Sequence, residues 1–275
     1  MKLIFNNLFF FSMKNFSPAS FSYVVFLATL VLASCKKNDE APANQTGEVD
    51  IELEHTVGVA PLALSTQTYT TPVGDQFTVS KFKYLLSNLK LTRADGTQYV
   101  VPESYYLVDA ASSTSQHLAL TGVPVGDYTG LTSTIGVDSA RNVSGAQTGA
   151  LEANNDMFWT WNSGYVFVKF EGTSPQAPHA AGVATGGLIF HIGGFKSPNN
   201  TIRTVAPAFP SGVSLLVQTD HTPKIHYQVD VLRLFTGSTT VRFSTLSNTM
   251  GAANSVLVAN NYAQGMFAVE HIHAN

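Results

Sequence analysis

Short stretches in which apolar and polar residues alternate recur along the whole chain, and they limit the folds that it can adopt. In residues 49–55 the alternation is strict, so one face of an extended strand is apolar and the other is acidic. Valine, threonine, glycine and aromatic residues recur throughout, whereas long runs with the period of an amphipathic helix are scarce. This pattern is typical of an all-β protein. We therefore predict an antiparallel β-sandwich that forms a single domain with long loops.

Further strands are predicted where short apolar or alternating stretches are bounded by glycine, proline or polar residues. They cover residues 77–91, 105–109, 126–138, 164–170, 187–192, 213–218, 225–235 and 266–273. Asp95-Gly96 predicts a hairpin turn, and residues 246–263 are the best candidate for a connection that contains a helix. Residues 138–156 and 172–186 form two long loops, and loops of this length in a compact domain often carry function.

The N-terminus has the features of a bacterial lipoprotein precursor. Residues 21–33 are apolar but too short to span a membrane, and they lead into Leu32-Ala33-Ser34-Cys35, which resembles a lipobox. We predict that residues 1–34 are a signal peptide, that Cys35 is lipidated, and that residues 35–47 form a flexible tether. The remaining domain would span residues 48–275. The mature protein is then expected to be anchored in the cell envelope as an outer-membrane lipoprotein, facing the periplasm or the outside.

Composition and motifs argue against two other classes of function. Charged residues make up 12% of the chain, the net charge is −3, and there is no basic stripe, so nucleic acid binding is not expected. The chain has no nucleotide-binding loop, nucleophile elbow or zinc-protease motif, and its carboxylates are scattered. We therefore predict that the protein is not an enzyme. Because Cys35 is the only cysteine, a metal in the mature domain must be bound by histidine, carboxylate, methionine or a modified side chain.

Several of the eight histidines are candidate metal ligands. His55 ends the apolar row of the first strand, and in a regular last strand His271 and His273 share a face with the apolar residues. His191 follows a glycine-bordered strand, whereas His226 lies on a polar face and is interpreted as solvated. A single histidine is more often structural, but neutral imidazoles without thiolates suit copper or zinc. We predict that His55, His271 and His273 lie together as the metal ligands, with His191 as the next candidate.

Both tryptophans of the chain lie in the tripeptide Trp159-Thr160-Trp161. Alternate residues of a strand share a face, so Trp159 and Trp161 would point in the same direction. One interpretation is an aromatic pair in the core, with each indole N–H bonded to the backbone. The other is a functional surface, because small polar residues and glycine surround the pair.

Taken together, these segments resemble the copper-binding MbnP-like domain family, as found in lipoproteins of Bacteroidota. The matching pieces are residues 54–58, 61–64, 77–89, 134–138, 157–165, 190–194 and 271–273. They extend over nearly the whole mature domain, and the Trp-x-Trp-x-x-Gly-Tyr motif of residues 159–165 is the most specific. The resemblance implies an all-β domain outside the cytoplasm.

In methanotroph relatives the resemblance implies a Cu(I) site made by histidines and a kynurenine, which forms when a tryptophan is oxidised. The oxidation is attributed to a partner di-haem enzyme of the peroxidase type. Here the modified residue would be Trp159 or Trp161. The chain departs from the methanotroph pattern because it lacks the cysteines that follow the His-x-Gly segment and carries a C-terminal His-x-His.

The sequence thus predicts a lipid-anchored metal-binding protein that holds copper for acquisition, storage or handling. The alternative is a glycan-binding or structural β-sandwich lipoprotein of the cell envelope. The orientation of the indoles separates the two hypotheses. A sugar platform needs flat, exposed rings, whereas a metal site needs a ring edge near imidazoles.

Overall fold

The computed structural model describes residues 45–160, 162–178 and 184–273. The predicted signal peptide, the predicted lipid site at Cys35 and one tryptophan, Trp161, lie outside these residues. The first strand begins at Thr46, so the last two residues of the predicted tether belong to it. Within the described residues, no helix is long and apolar enough to cross a membrane.

Strands dominate the described residues, and the two α-helices are short. The strands are β1 (Thr46–Val57), β2 (Ala60–Pro61), β3 (Tyr69–Thr70), β4 (Gln76–Arg93), β5 (Gln98–Val100), β6 (Tyr105–Asp109), β7 (His117–Pro124), β8 (Gly126–Ile135), β9 (Phe158–Thr160), β10 (Gly164–Thr173), β11 (Gly187–Gly193), β12 (Arg203–Val205), β13 (Leu215–Val217), β14 (Lys224–Asp230), β15 (Asn248–Met250) and β16 (Phe267–His273). The helices are α1 (Ser139–Asn142) and α2 (Ala252–Tyr262). The predicted helix-bearing connection over residues 246–263 is therefore confirmed.

The strands form two sheets. The smaller sheet has the order β16-β14-β1-β2, and β7 also pairs with β1. The larger sheet has the order β12-β8-β4-β10-β11-β15, with β3, β5, β6, β9 and β13 attached to its strands. The predicted all-β sandwich is confirmed, but the sheets are mixed, because β1 pairs with β14 and β11 with β15 in parallel.

The core fills the space between the inner faces of the two sheets. In β1 the alternation places Val49, Ile51 and Leu53 inside with almost no exposure. The larger sheet and the chain after β14 contribute phenylalanines whose rings meet edge to face, such as Phe235 and Phe243 with centroids 4.9 Å apart. Aromatic pairs of this geometry contribute roughly 0.5–1.5 kcal/mol beyond the area that they bury.

A smaller apolar cluster lies on the outer face of the larger sheet, beneath the loop predicted over residues 138–156. It contains Leu151, Met157, Tyr165 and Phe167. This loop is partly ordered into α1, which the carboxylate of Asp138 caps by accepting from the backbone N–H of Arg141, at 3.0 Å. The loop therefore covers the sheet and leads the chain directly into the tryptophan segment.

The predicted strand over residues 225–235 is too long. β14 ends at Asp230, and residues 231–234 form a 3₁₀ turn. The side chain of Asp230 accepts from the backbone N–H of Leu232, at 3.0 Å, and from that of Gly58, at 2.8 Å. An aspartate that bonds the backbone two residues ahead favours a turn, and this local bond outweighs the β-propensity of the apolar residues that follow.

Candidate metal centre

A β-bulge decides where the C-terminal histidines point. In the antiparallel pair β14–β16, His226 faces His271, but Tyr227 faces Val269, so Glu270 is an extra residue in β16. The extra residue reverses the alternation of side chains. Val269 and Ile272 pack against the core, and His271 and His273 lie on the outer face. The prediction that these two histidines point inward is therefore wrong.

His226, His271 and His273 form a compact group on this outer face. The rings of His226 and His271 stack with centroids 4.1 Å apart and planes inclined by 18°. The Nε2 atoms of His271 and His273 are 3.1 Å apart. One ring nitrogen from each of the three lies within 4.8 Å of the others, and this is the one such group of histidine, cysteine or carboxylate side chains in the described part of the chain.

These distances are close to what a metal ion requires. Two imidazole nitrogens on one tetrahedral Zn²⁺ are about 3.4 Å apart, given Zn–N bonds of about 2.0–2.1 Å. The His271–His273 distance already fits, whereas the ring of His226 stacks on that of His271 and must rotate before its in-plane lone pair can reach a shared ion. His226 is less exposed than His273, so the group is open to solvent on the side of the sheet edge.

One ring nitrogen of His226 is buried without a hydrogen-bond partner. Its Nε2 atom is inaccessible to solvent and has no hydrogen-bond partner, whereas its Nδ1 atom lies 3.5 Å from Glu52 Oε2. Burial lowers the pKa of His226, and repulsion from His271 lowers it further, while Glu52 raises it. The ring is therefore neutral at neutral pH, which is the form that binds metals.

Carboxylates and one lysine surround the group. Lys224 Nζ lies 3.1 Å from Glu52 and 3.5 Å from Asp50, and Glu270 Oε2 lies 3.7 Å from His271 Nδ1. Burial raises the pKa of Glu52, but the hydrogen bond and charge of Lys224 more than offset this and lower it overall. Glu52 is thus ionised beside a neutral imidazole.

His55 lies on the opposite face of the same sheet, so it does not join the other two predicted ligands. Its ring is buried between the sheets, where Nε2 is 3.1 Å from the hydroxyl of Tyr84. Burial lowers its pKa to about 4, although a hydrogen bond with Gln116 raises it. The predicted triad of His55, His271 and His273 is therefore wrong as a spatial group, and His55 is a packed core histidine.

His191 occupies a third place, on the outer face of the larger sheet. Its Nε2 atom is 2.9 Å from Glu171 Oε1 on the adjacent strand β10. Burial lowers the pKa of His191, and the hydrogen bond with Glu171 raises it. In the described residues His191 does not belong to any group of three or more histidine, cysteine or carboxylate side chains close enough to share a metal ion. Its predicted role as a ligand stays a prediction.

Trp159 lies on the same face of the larger sheet as His191. Its six-membered ring occupies the space where a side chain on Gly193 would extend, with the nearest ring carbon 2.7 Å from an ideal Cβ. Trp159 lines an open cleft of about 430 Å³ together with Met250 and Gly251. The ring is partly buried and packs on backbone, which does not suit a flat sugar platform. The predicted pairing with Trp161 lies outside the described residues.

The sequence interpretation missed His226 because it treated β16 as regular. In a regular strand the C-terminal pair faces the core, and His226 then appears as an isolated polar residue. The available signal was Ile272, an apolar residue between two histidines, which a regular strand would place on the outer face. A bulge in the edge strand turns such an apolar residue inward and the histidines outward.

Comparison with known proteins agrees with this fold. The MbnP family model matches residues 46–255. The solved structure of MbnP from Methylosinus trichosporium aligns over 83% of this chain and 99% of its own, with a TM-score of 0.50 and 13% identity. At that identity the structural match shows the fold alone. No curated protein matches the sequence. Because the family model spans most of the chain, the resemblance is confirmed and the chain belongs to the MbnP family.

Proposed function

We propose that the protein binds a metal ion, copper in its physiological setting, through His226, His271 and His273. The observation that carries the proposal is the convergence of three imidazoles beside a buried Nε2 atom that has no hydrogen-bond partner. Membership of the MbnP family supports a metal-related role. The role is non-catalytic: the protein holds the metal and passes it on.

The chemistry of the group supports this choice of metal. Three imidazoles without thiolate or carboxylate ligands suit Cu(I), Cu(II) or Zn(II) better than Mg²⁺ or Ca²⁺, which prefer oxygen. The exposed His273 leaves one side of the group open, so a bound ion could be exchanged with a partner or with solution. An exchangeable site fits acquisition, storage or handling of copper.

We also propose that the metal-binding domain is anchored to a membrane of the cell envelope. Signal-peptide cleavage and lipidation of Cys35 would anchor the domain in the cell envelope, and two or more acyl chains are needed for a stable anchor. A Cys35→Ser variant is expected to leave the membrane fraction or to persist as an unprocessed precursor. Unchanged membrane fractionation of that variant would contradict the anchor.

Oxidation of a tryptophan to kynurenine by a di-haem partner enzyme is proposed from family resemblance. Protein made without the partner is expected to retain intact Trp159 and Trp161, because the chain has no haem-attachment motif of its own. Peptide mass spectrometry of residues 157–169 measures this directly. Kynurenine in protein made alone would contradict the dependence on a partner.

The central test is a metal titration. Affinity for Cu(I) is measured under reducing conditions against a chromophoric chelator, and affinity for Zn(II) is measured separately. We expect His226→Ala and His271→Ala each to weaken binding at least about tenfold, or about 1.4 kcal/mol. His221→Ala is the control, because it removes an imidazole that pairs with Asp220 and lies outside the group. Equal affinity in all variants would refute the site.

A further inference from the structure

We infer that Glu52 is a positioning residue of the three-histidine site: it keeps the proton of His226 on Nδ1, so that the lone pair of Nε2 is free to bind the metal. The inference rests on the proposed function, because it concerns the same site. It assigns a role to a residue on β1, a strand that supplies none of the three ligands.

The register of the sheet brings Glu52 to this position. β1 and β14 pair in parallel, and Glu52 is the direct partner of His226. Their side chains therefore lie next to each other on the outer face, with Glu52 Oε2 3.5 Å from Nδ1. This separation is longer than an ordinary N–H···O hydrogen bond of about 2.9 Å. It is short enough for the negative charge to favour a proton on the facing nitrogen.

The other nitrogen of His226 supplies the second observation. A neutral imidazole has one N–H and one lone pair, and the group facing each nitrogen decides which it carries. Nε2 is buried without a partner, so a proton there would be an unsatisfied donor. The tautomer with the proton on Nδ1 places that donor toward Glu52 and leaves the lone pair on Nε2. Carboxylates that hold metal-binding histidines in this way recur in metal sites.

Lys224 holds the carboxylate in place. Its ammonium group donates to Glu52 Oε2 at 3.1 Å and lies 3.5 Å from Asp50 Oδ2. Glu52 therefore belongs to an ion-pair network inside a sheet. Glu270, the carboxylate beside His271, has a side chain that is 56% exposed, on the edge strand. Of these two carboxylates, Glu52 is better fixed for a positioning role.

Glu52 could instead be only the ion-pair partner of Lys224, and Asp50 provides the control for that case. Asp50 lies on the same face of the same strand and pairs with the same lysine, but it faces none of the three ligands. Glu52→Ala and Asp50→Ala therefore remove the same charge and the same kind of ion pair. Glu52→Gln keeps an oxygen that can accept a proton donor and removes only the charge.

The first measurement is the tautomer of His226 in metal-free protein, read from the ¹⁵N shifts of its ring nitrogens. We expect the Nδ1–H form in the wild type and in Asp50→Ala, and a mixture or the Nε2–H form in Glu52→Ala. The second measurement is Zn(II) affinity. We expect Glu52→Ala to weaken binding about 10–100-fold, as is typical for a lost carboxylate partner, with Glu52→Gln between it and the wild type. Asp50→Ala should change affinity less than threefold, or about 0.7 kcal/mol.

The two measurements separate the possible failures. An unchanged tautomer in Glu52→Ala would overturn the inference, and so would equal losses of affinity in Glu52→Ala and Asp50→Ala. If the wild type binds neither Zn(II) nor Cu(I), the proposed function fails, whereas the tautomer result still decides the role of Glu52. The circular dichroism spectra of the variants must match the wild type, since β1 lies in the interior of its sheet.

Discussion

His226 and His271 face each other across neighbouring antiparallel strands, and their rings stack with centroids 4.1 Å apart. The contact forms because Glu270 is accommodated as a bulge rather than paired with β14, which leaves His271 on the outer face. The last strand can thus contribute Val269 and Ile272 to the core and two histidines to the surface within five residues.

Deleting Glu270 should preserve the site. Without this residue, Val269, His271 and Ile272 would pair with consecutive residues of β14 and alternate regularly, leaving both C-terminal histidines on the outer face. We expect the free energy of unfolding to change by less than about 1 kcal/mol and Zn(II) affinity to change by less than about threefold. Chemical denaturation and metal titration measure the two quantities.

Inserting one alanine after Val269 provides the opposite case. The insertion is expected to shift the histidines by one position along the strand. Side chains then change faces, and the stacked pair of His226 and His271 is lost. Loss of metal binding on deletion of Glu270, with binding kept after the insertion, would show that the bulge is not what orients the site.

The strands of the sandwich could be predicted because apolar and polar residues alternate along a strand that buries one face, and this alternation is visible in the sequence. β1, β4 and β11 were recognised in this way. The sequence could not reveal the parallel pairing of β1 with β14, because that depends on contacts between distant segments. The same limit applies to the site: Glu52 and His226 become partners only through that long-range register.

For the histidines, too, local alternation was predicted correctly and the effect of pairing with a distant strand was not. The inward position of His55 followed from a regular strand and is correct, although its surroundings are those of a core residue. His271 and His273 were rightly expected to lie together, since two positions separate them on one strand. The face of the strand predicted for them was wrong, because the bulge depends on how β16 pairs with β14, a distant segment of the chain.

His55 should make the protein less stable in mild acid. Its pKa is lowered by burial from 6.5 to about 4, so between these values the unfolded chain takes up a proton that the folded protein excludes. The stabilisation is complete above about pH 6.5 and is lost as the pH falls toward 4, by about 3 kcal/mol. Urea denaturation of the wild type at a series of pH values measures this loss.

The matching variant is His55→Gln, which keeps a polar group near Tyr84 but does not titrate. We expect it to be less stable than the wild type at neutral pH, because it packs less well, and to show a much flatter dependence on pH through this window. The same pH slope in both proteins would mean that other groups cause the acid sensitivity.

Asp156 should be important for stability although its own side chain is half exposed. It accepts from Lys169 at 2.8 Å, and Lys169 has a side chain that is only 6% exposed. The hydrogen bond with Lys169 lowers the pKa of Asp156 to about 2, so the pair remains charged until strongly acidic pH. Asp156→Ala leaves a buried ammonium group without its carboxylate and is expected to cost about 1–3 kcal/mol.

Two further variants test the cause of this loss. Lys81→Ala removes the more exposed ion-pair partner of Asp156 and should cost less than about 1 kcal/mol. Adding Lys169→Met to Asp156→Ala should recover much of the stability, since it removes the unpaired charge. A double variant no more stable than Asp156→Ala would indicate that the carboxylate acts by holding the loop.

Gly193 should be required for the position of Trp159. An added Cβ would lie 2.7 Å from the ring of Trp159 and 2.5 Å from the backbone oxygen of Tyr165. Both the indole of Trp159 and the backbone around Tyr165 must then shift, and Gly193→Ala is expected to cost about 1–3 kcal/mol. In a Trp161→Phe background, the fluorescence of Trp159 should shift to longer wavelength as the ring becomes more exposed.

The control is Gly130→Ala, also in a strand of the larger sheet, where an added Cβ would meet only Thr92 at an ordinary 3.9 Å. It should change neither the fluorescence nor the unfolding free energy by a comparable amount. If Gly193→Ala also leaves both unchanged, Trp159 is not held against β11 in solution. The cleft that it forms with Met250 would then have no fixed shape.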